Sequence, residues 1–179
     1  MKLFTTLLTF GLAAVGVLSA PTAKEKRDVS DYEDVMYTIT DQIAVVDNLV
    51  NLYVAGQIPG TDVQAANDVL VDLINDGASQ ISGFTPLTVL EILGLVGVIN
   101  GLIDDIGAVV DNLIAAEPNF IADGLNDEVL AGLYELQDAG ETLRAALLPK
   151  VPSSLQGLAD QLAAEVTAEL QRAIDAYSD

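Results

Sequence analysis

The sequence predicts an all-α protein, a single five-helix antiparallel bundle after a cleaved leader. Three observations carry that prediction. Apolar residues recur at alternating spacings of three and four over long segments, the mark of a helix with one buried face. Glycine, proline and short polar runs punctuate those segments, and no alternating apolar stretch is long enough for a sheet. The chain is 51% hydrophobic yet carries a net charge of −20, a balance that two-faced helices reconcile.

Residues 1–20 read as a secretory signal peptide. Lys2 supplies the basic start, residues 3–18 the apolar run, and Ser19 or Ala20 the cleavage point, with a cut after Ser19 preferred because Pro21 follows Ala20. The apolar run is short for a bilayer span of about 20 residues. Residues 21–27 (PTAKEKR) form a short propeptide ending in the dibasic pair Lys26-Arg27, which suits a processing protease with acidic subsites. The domain is then residues 28–179, where Arg144, Lys150 and Arg172 stand against 26 acidic residues, a net charge of −23.

The chain has no cysteine, histidine or tryptophan. Disulfides, thiol catalysis, Ser-His-Asp hydrolysis and ordinary zinc sites are excluded, so stability rests on the core. About 150 residues can bury roughly 70% of their unfolded surface in one domain. No N-glycosylation sequon occurs, and the charged C-terminus lacks the tail of a lipid-anchor signal. A released extracellular protein is expected.

Helix one carries Val29, Tyr32, Met36, Ile39, Ile43, Val46, Val50 and Tyr53 as a heptad seam, with Asp31, Asp34, Asp41, Asp47 and Asn48 opposite. Gly56 should end it in a left-handed turn. Thr61 and Gln64 form a capping-box pattern opening helix two, whose stripe is Val63, Ala66, Leu70, Leu73 and Ile74, fading near Gly77. Helix three is expected from about Pro86 to Ala116, stopped by Pro118. Helix four spans residues 126–148, with Val129, Leu133, Leu136, Gly140, Leu143 and Leu147 at heptad spacing; Pro149 and Pro152 break it. Ser153 and Gln156 should cap helix five, whose stripe is Leu155, Leu158, Leu162, Val166, Leu170, Ala173 and Tyr177. Short connections make successive helices antiparallel.

Helix three departs from the two-faced pattern. Residues 92–103 (ILGLVGVINGLI) include no charge, and only Asn100 is polar. Apolar residues all round signal a helix buried on every side; Glu91 and Asp104 bracket too short a run for a membrane span. A central position among the other four helices is expected. Gly94, Gly97 and Gly101 form a stripe without side chains, each costing about 1 kcal/mol of helix propensity relative to alanine. Close approach of a neighbouring helix would offset that cost, and so would room for an acyl chain against the backbone. The candidate ligand site is therefore an apolar cavity at Gly94, Leu95, Gly97, Val98, Asn100 and Gly101, with Asn100 either a satisfied buried amide or a head-group contact.

Catalytic and metal-ligating constellations are not found. Asp104-Asp105 and Asp127-Glu128 are adjacent on helices and point in different directions. Asn75-Asp76-Gly77 and Asp123-Gly124 lack the ligand series of a calcium loop. The net charge opposes nucleic acid and anionic membranes and favours a soluble monomer. No cofactor is implied.

The Lys-Arg pair, the opening Asp28-Val-Ser-Asp-Tyr32 of a long heptad helix, Leu113-Ile114 leading to Pro118-Asn-Phe120, the helix after Val129, Pro152-Ser-Ser-Leu155 and a last helix ending Ala173-Ile174-x-x-Tyr177 follow one order. In that order the chain resembles the fungal hydrophobic surface-binding protein A / cell-wall galactomannoprotein family. The resemblance implies a non-enzymatic helical bundle that is secreted or wall-associated and adsorbs to hydrophobic surfaces. In some members it implies fatty acid held in the bundle, in others recruitment of a secreted esterase or cutinase. The alternative is a secreted adaptor or effector that docks a partner protein without a lipid.

Overall fold

The computed structural model describes residues 29–178; the expected signal peptide, propeptide and processing site lie outside the described residues. Five helices follow in order: α1 (Val29–Val54), α2 (Gly60–Ser82), α3 (Val89–Asp123), α4 (Asn126–Leu147) and α5 (Gln156–Ser178). Two short 3-10 turns, Leu148–Lys150 and Ser153–Leu155, join α4 to α5, and no strand occurs among the described residues.

The heptad face of α1 is buried from Tyr32 to Tyr53, with Val35 beside it. Gly56 closes the helix at φ 68°, and Gln57 N–H reaches back to the Leu52 carbonyl. The expected capping box of α2 does not form. The helix starts at Gly60 behind Pro59, with no side-chain cap, because Gly60 is wedged against its neighbours. A Cβ there would lie 2.6 Å from Leu125 Cδ1 and 3.2 Å from Tyr53. Nor does α2 fade at Gly77. It continues to Ser82, and at Gly77 it packs tightly on α1, since a Cβ would lie 2.7 Å from Val35 Cγ1.

Both ends of α3 differ from expectation. Its start is a capping box at Thr88 and Glu91: Thr88 Oγ1 accepts from the Glu91 N–H at 3.3 Å, and the Glu91 carboxylate accepts from the Thr88 N–H at 2.7 Å. Pro86 therefore belongs to the preceding segment. At the other end α3 runs through Pro118 to Asp123. A proline inside a helix costs about 3 kcal/mol, but Pro118 faces solvent while Ala116 and Phe120 beside it are completely buried. Their packing carries the helix on to Gly124, which ends it at φ 71°. At α5 the Ser153 cap is likewise replaced by the 3-10 turn, without a side-chain bond.

The helices form a closed ring. α1 packs on α2, α2 on α4, α4 on α5, α5 on α3, and α3 on α1. Successive helices alternate direction, so α1, α3 and α5 run parallel and their C-terminal ends meet. There the rings of Tyr53 and Phe120 lie 4.3 Å apart and those of Phe120 and Tyr177 6.2 Å. At the opposite end the Tyr32 hydroxyl donates to the Thr85 carbonyl at 2.7 Å, and Lys150 Nζ donates to the carbonyls of Ser82 and Phe84 at 2.9 and 2.8 Å.

Among the described residues no helix occupies the centre. α3 was expected there, but it is one wall of the ring, and its outer edge is open: Leu90 is 81% and Leu93 54% exposed. By length and composition α3 could cross a bilayer; here its inner face packs on α1 and α5.

Candidate functional site: an apolar cavity on the bundle axis

A ring of five helices leaves space that a ring of four does not. Axes about 9 Å apart stand about 8 Å from the centre of a pentagon, and a helix has a radius of about 5 Å. Since that radius already includes average side chains, a shaft about 3 Å in radius remains, which only larger inward side chains fill. In this protein part of it is open. A cavity of about 230 Å³ lies on the axis, more than ten times the about 10–15 Å³ that one water requires.

All five helices line it. α1 contributes Met36, Ile39, Ile43 and Val46, and α2 Leu70 and Ile74. α3 contributes Ile92, Leu95, Ile99, Leu102 and Ile106, and α4 Leu133, Leu136, Gly140 and Leu143. Leu158, Leu162, Val166 and Leu170 close the side formed by α5. Asn67, Gln137 and Thr167 add neutral polar groups, and Glu141, Arg144 and Asp160 supply the charges. Water in such a space would have few partners, so an apolar occupant is favoured.

The walls are unequal. The inward side chains of α1 and α2 are almost wholly buried, whereas Leu158, Leu162, Val166 and Leu170 on α5 are only half-buried. The C-terminal part of α5 is fixed by buried Ala173, Ile174 and Tyr177 and by the Arg172–Asp111 ion pair at 2.6 Å. Its N-terminal part is tied to α4 by Arg144, whose Nη2 lies 2.7 Å from Asp160 and whose Nη1 lies 3.4 Å from Glu141. The bond and charge of Asp160, then the charge of Glu141, raise the Arg144 pKa above its ordinary value and keep it cationic. These groups are 42–56% exposed, so the pairs contribute little to stability.

The six residues expected at the ligand site do not come together. Leu95 is buried and lines the cavity. Val98 is half-buried and packs against the core without reaching the cavity. Gly94, Gly97, Asn100 and Gly101 lie on the exposed outer edge of α3. A Cβ on any of the three glycines would meet nothing within 4 Å, so the stripe does not serve close helix approach, and all three lie outside the lining of the cavity. Asn100 is correspondingly not a buried amide. The helix period explains the reversal: Gly97 is seven residues before Asp104 and Gly101 four before Asp105, so the stripe lies in line with exposed carboxylates. Asp127 and Glu128 are exposed as well, and Asn75-Asp76-Gly77 is helical.

Residues 29–149 match the family model described as Hydrophobic surface binding protein A. The chain belongs to this family. Among similar proteins, cell wall mannoprotein 1 of Aspergillus fumigatus is 30% identical over 179 residues, 100% of this chain and 61% of that protein. The Talaromyces marneffei protein of the same name is 29% identical over 99% of this chain and 39% of its own length. The chain thus spans less than two thirds of these relatives. Among solved structures, ligand binding domain 1 of the Penicillium marneffei MP1 protein, complexed with arachidonic acids, superposes with a TM-score of 0.81 at 27% identity. That match covers 86% of this chain and 100% of the domain.

Sequence reasoning placed the site on α3 alone and missed the walls that α1, α2, α4 and α5 supply, although α4 and α5 carried a signal. Their signal was present in the seams: Gly140 sits at a core position of α4, and Ala159 and Ala163 flank the α5 stripe. Small side chains at inward positions of two adjacent helices leave volume unfilled.

Proposed function

We propose that this protein is an extracellular, non-enzymatic binder of free fatty acid, with the acyl chain lying in the axial cavity. The observation that carries the reading is a cavity on the axis of a closed five-helix ring, lined almost entirely by aliphatic side chains. The solved domain complexed with arachidonic acids, at 27% identity and with the same fold, supports it. Dispersion contacts and burial of methylene groups, at about 0.8 kcal/mol each, supply the affinity.

Native mass spectrometry after gentle purification tests this. The expected result is one or more fatty acids bound in near-stoichiometric amount, and a higher melting temperature when delipidated protein is reloaded. Protein free of lipid, with melting indifferent to added fatty acid, would contradict it.

A second use of apolar surface is favoured by the open edge of α3. Val89, Leu90 and Leu93 are 44–81% exposed and are placed to adsorb on a hydrophobic solid while acidic faces stay hydrated. Depletion of the monomeric protein from solution by hydrophobic particles, reduced in Leu90→Asp/Leu93→Asp, checks that role. Recruitment of a secreted esterase would show as co-depletion of the enzyme. Secretion by way of a leader cut after Ser19 or Ala20, and again after Arg27, is checked by the mass of the secreted chain.

A further inference from the structure

We infer that Arg144 receives the carboxylate of the bound fatty acid, and that Asp160 occupies the place of that carboxylate when the cavity is empty. The inference rests on the fatty-acid reading above and adds the head-group site.

A carboxylate brought into an apolar cavity needs a cation or several donors, because an unpaired buried charge is strongly disfavoured. Among the described residues three side chains are cationic: Arg144, Lys150 and Arg172. Lys150 is held by the carbonyls of Ser82 and Phe84 and does not line the cavity. Arg172 is engaged by Asp111 and Glu169 on the outer side of α3 and α5 and does not line it either. Arg144 alone of the three borders the cavity, and it does so at the seam where α5 is half-buried. A ligand lying with its tail along the axis and its head at this seam keeps the carboxylate near water.

The guanidinium is also prepared for the exchange. Its present partners are carboxylates: Asp160 at 2.7 Å, across the gap between α4 and α5, and Glu141 at 3.4 Å on its own helix. Its Nη2 holds one oxygen of Asp160 and its Nη1 one oxygen of Glu141, so a fatty-acid carboxylate that displaces Asp160 takes over the Nη2 contact, and the planar fork offers Nη1 as a second donor. The Arg144–Asp160 pair is 42% and 53% exposed, so solvent already weakens it and a ligand competes for Arg144 at low cost. Asp160 and Glu141 give the rim a second property. A head group with more negative charge than one carboxylate, such as a phosphate ester, meets two anions beside the single cation.

The test compares palmitate with its methyl ester and its alcohol at neutral pH, by equilibrium binding to delipidated full chain. Wild-type protein should prefer the acid. Arg144→Gln should weaken the acid by roughly tenfold or more, the size expected for loss of a charge-assisted hydrogen bond, and leave ester and alcohol within about twofold. Asp160→Asn, which removes the competitor but keeps Arg144, should tighten the acid several-fold and leave the ester unchanged. Equal weakening of all three ligands by Arg144→Gln would assign the residue a structural role and overturn the inference, as would an unchanged acid preference. If Arg144→Gln does not fold, Asp160→Asn decides alone: no gain for the acid overturns the inference. Wild-type binding of acid and ester with equal affinity sinks the head-group site but leaves the cavity reading standing. Failure of all three ligands to bind removes both.

Discussion

The Tyr177 hydroxyl donates to the Leu113 carbonyl oxygen at 2.7 Å, fully buried, and so fastens the last turn of α5 to the C-terminal third of α3. The same ring packs on Phe120, and Asn126 Nδ2 donates to the Tyr177 carbonyl at 2.9 Å. The Tyr177 side chain joins α5 to α3, and its backbone carbonyl joins α5 to α4, at the end of the bundle away from Arg144. Tyr177→Phe should lower unfolding free energy by about 1 kcal/mol, the net value of one hydrogen bond. Tyr177→Ala should cost about 3–5 kcal/mol, as for other large buried rings. Urea melts followed by circular dichroism measure both, and a neutral Tyr177→Ala would show that this end is not a fixed point.

Alkaline pH should loosen the same contacts. Burial, then the charge of Glu91, pushes the Tyr32 hydroxyl up to about 12; burial, then the hydrogen bond to Asp123 and its charge, does the same for Tyr53. Burial, then the charge of Glu117, also raises Tyr177 above its ordinary value. A phenol whose folded pKa is raised keeps its proton while the unfolded chain loses one, so stability falls as pH rises. The contribution is whole below pH 10 and disappears between about 10 and 12. Absorbance titration should show tyrosinate forming together with loss of helix. Ionisation of these tyrosines near pH 10 in a folded chain would contradict the burial.

Tight helix contact, absent at the α3 glycines, is found at Gly77. Gly77→Ala places a methyl 2.7 Å from Cγ1 of Val35, a β-branched side chain with little rotamer freedom. Overpacking of about 1–3 kcal/mol outweighs the propensity gain of about 1 kcal/mol, so net destabilisation of about 1 kcal/mol is expected. Adding Val35→Ala should make Gly77→Ala far less harmful. A higher melting temperature for the single variant would refute close packing of α1 on α2.

The start of α3 offers a local check. Thr88→Ala removes the acceptor for the Glu91 N–H and should cost about 1 kcal/mol. Thr88→Ser should be nearly neutral, and the difference is readable as a shift in melting temperature.

The fold was legible because a buried helical face writes itself at regular spacing: the α1 seam from Tyr32 to Tyr53 is the buried face. Boundaries were less legible where packing overrides local preference. Pro118 does not stop α3, because Ala116 and Phe120 are worth more buried than the proline costs. Thr61 does not cap α2, because Gly60 is already held by Leu125 and Tyr53. The candidate site was legible only through Leu95. A cavity is an absence of volume summed over five helices, and no single segment records it. A stripe of glycines within one helix looked like that absence, but the carboxylates at Asp104 and Asp105 already placed it on the outer edge.

Two glycines separate the cavity from the outer stripe most directly. Gly140 lines the cavity, and a Cβ there would meet nothing within 4 Å, so the first carbon of Gly140→Leu has room and the rest of the side chain should take up the open space. Gly97→Leu projects from the exposed edge and should only raise helix propensity, by up to about 1 kcal/mol. Equilibrium binding of palmitate to the two variants and to wild type, under one condition, decides between the two locations. The prediction is at least tenfold weaker binding in Gly140→Leu, which stays folded, and unchanged binding in Gly97→Leu. Wild-type affinity in Gly140→Leu, or loss of binding in Gly97→Leu, would contradict a ligand held on the bundle axis.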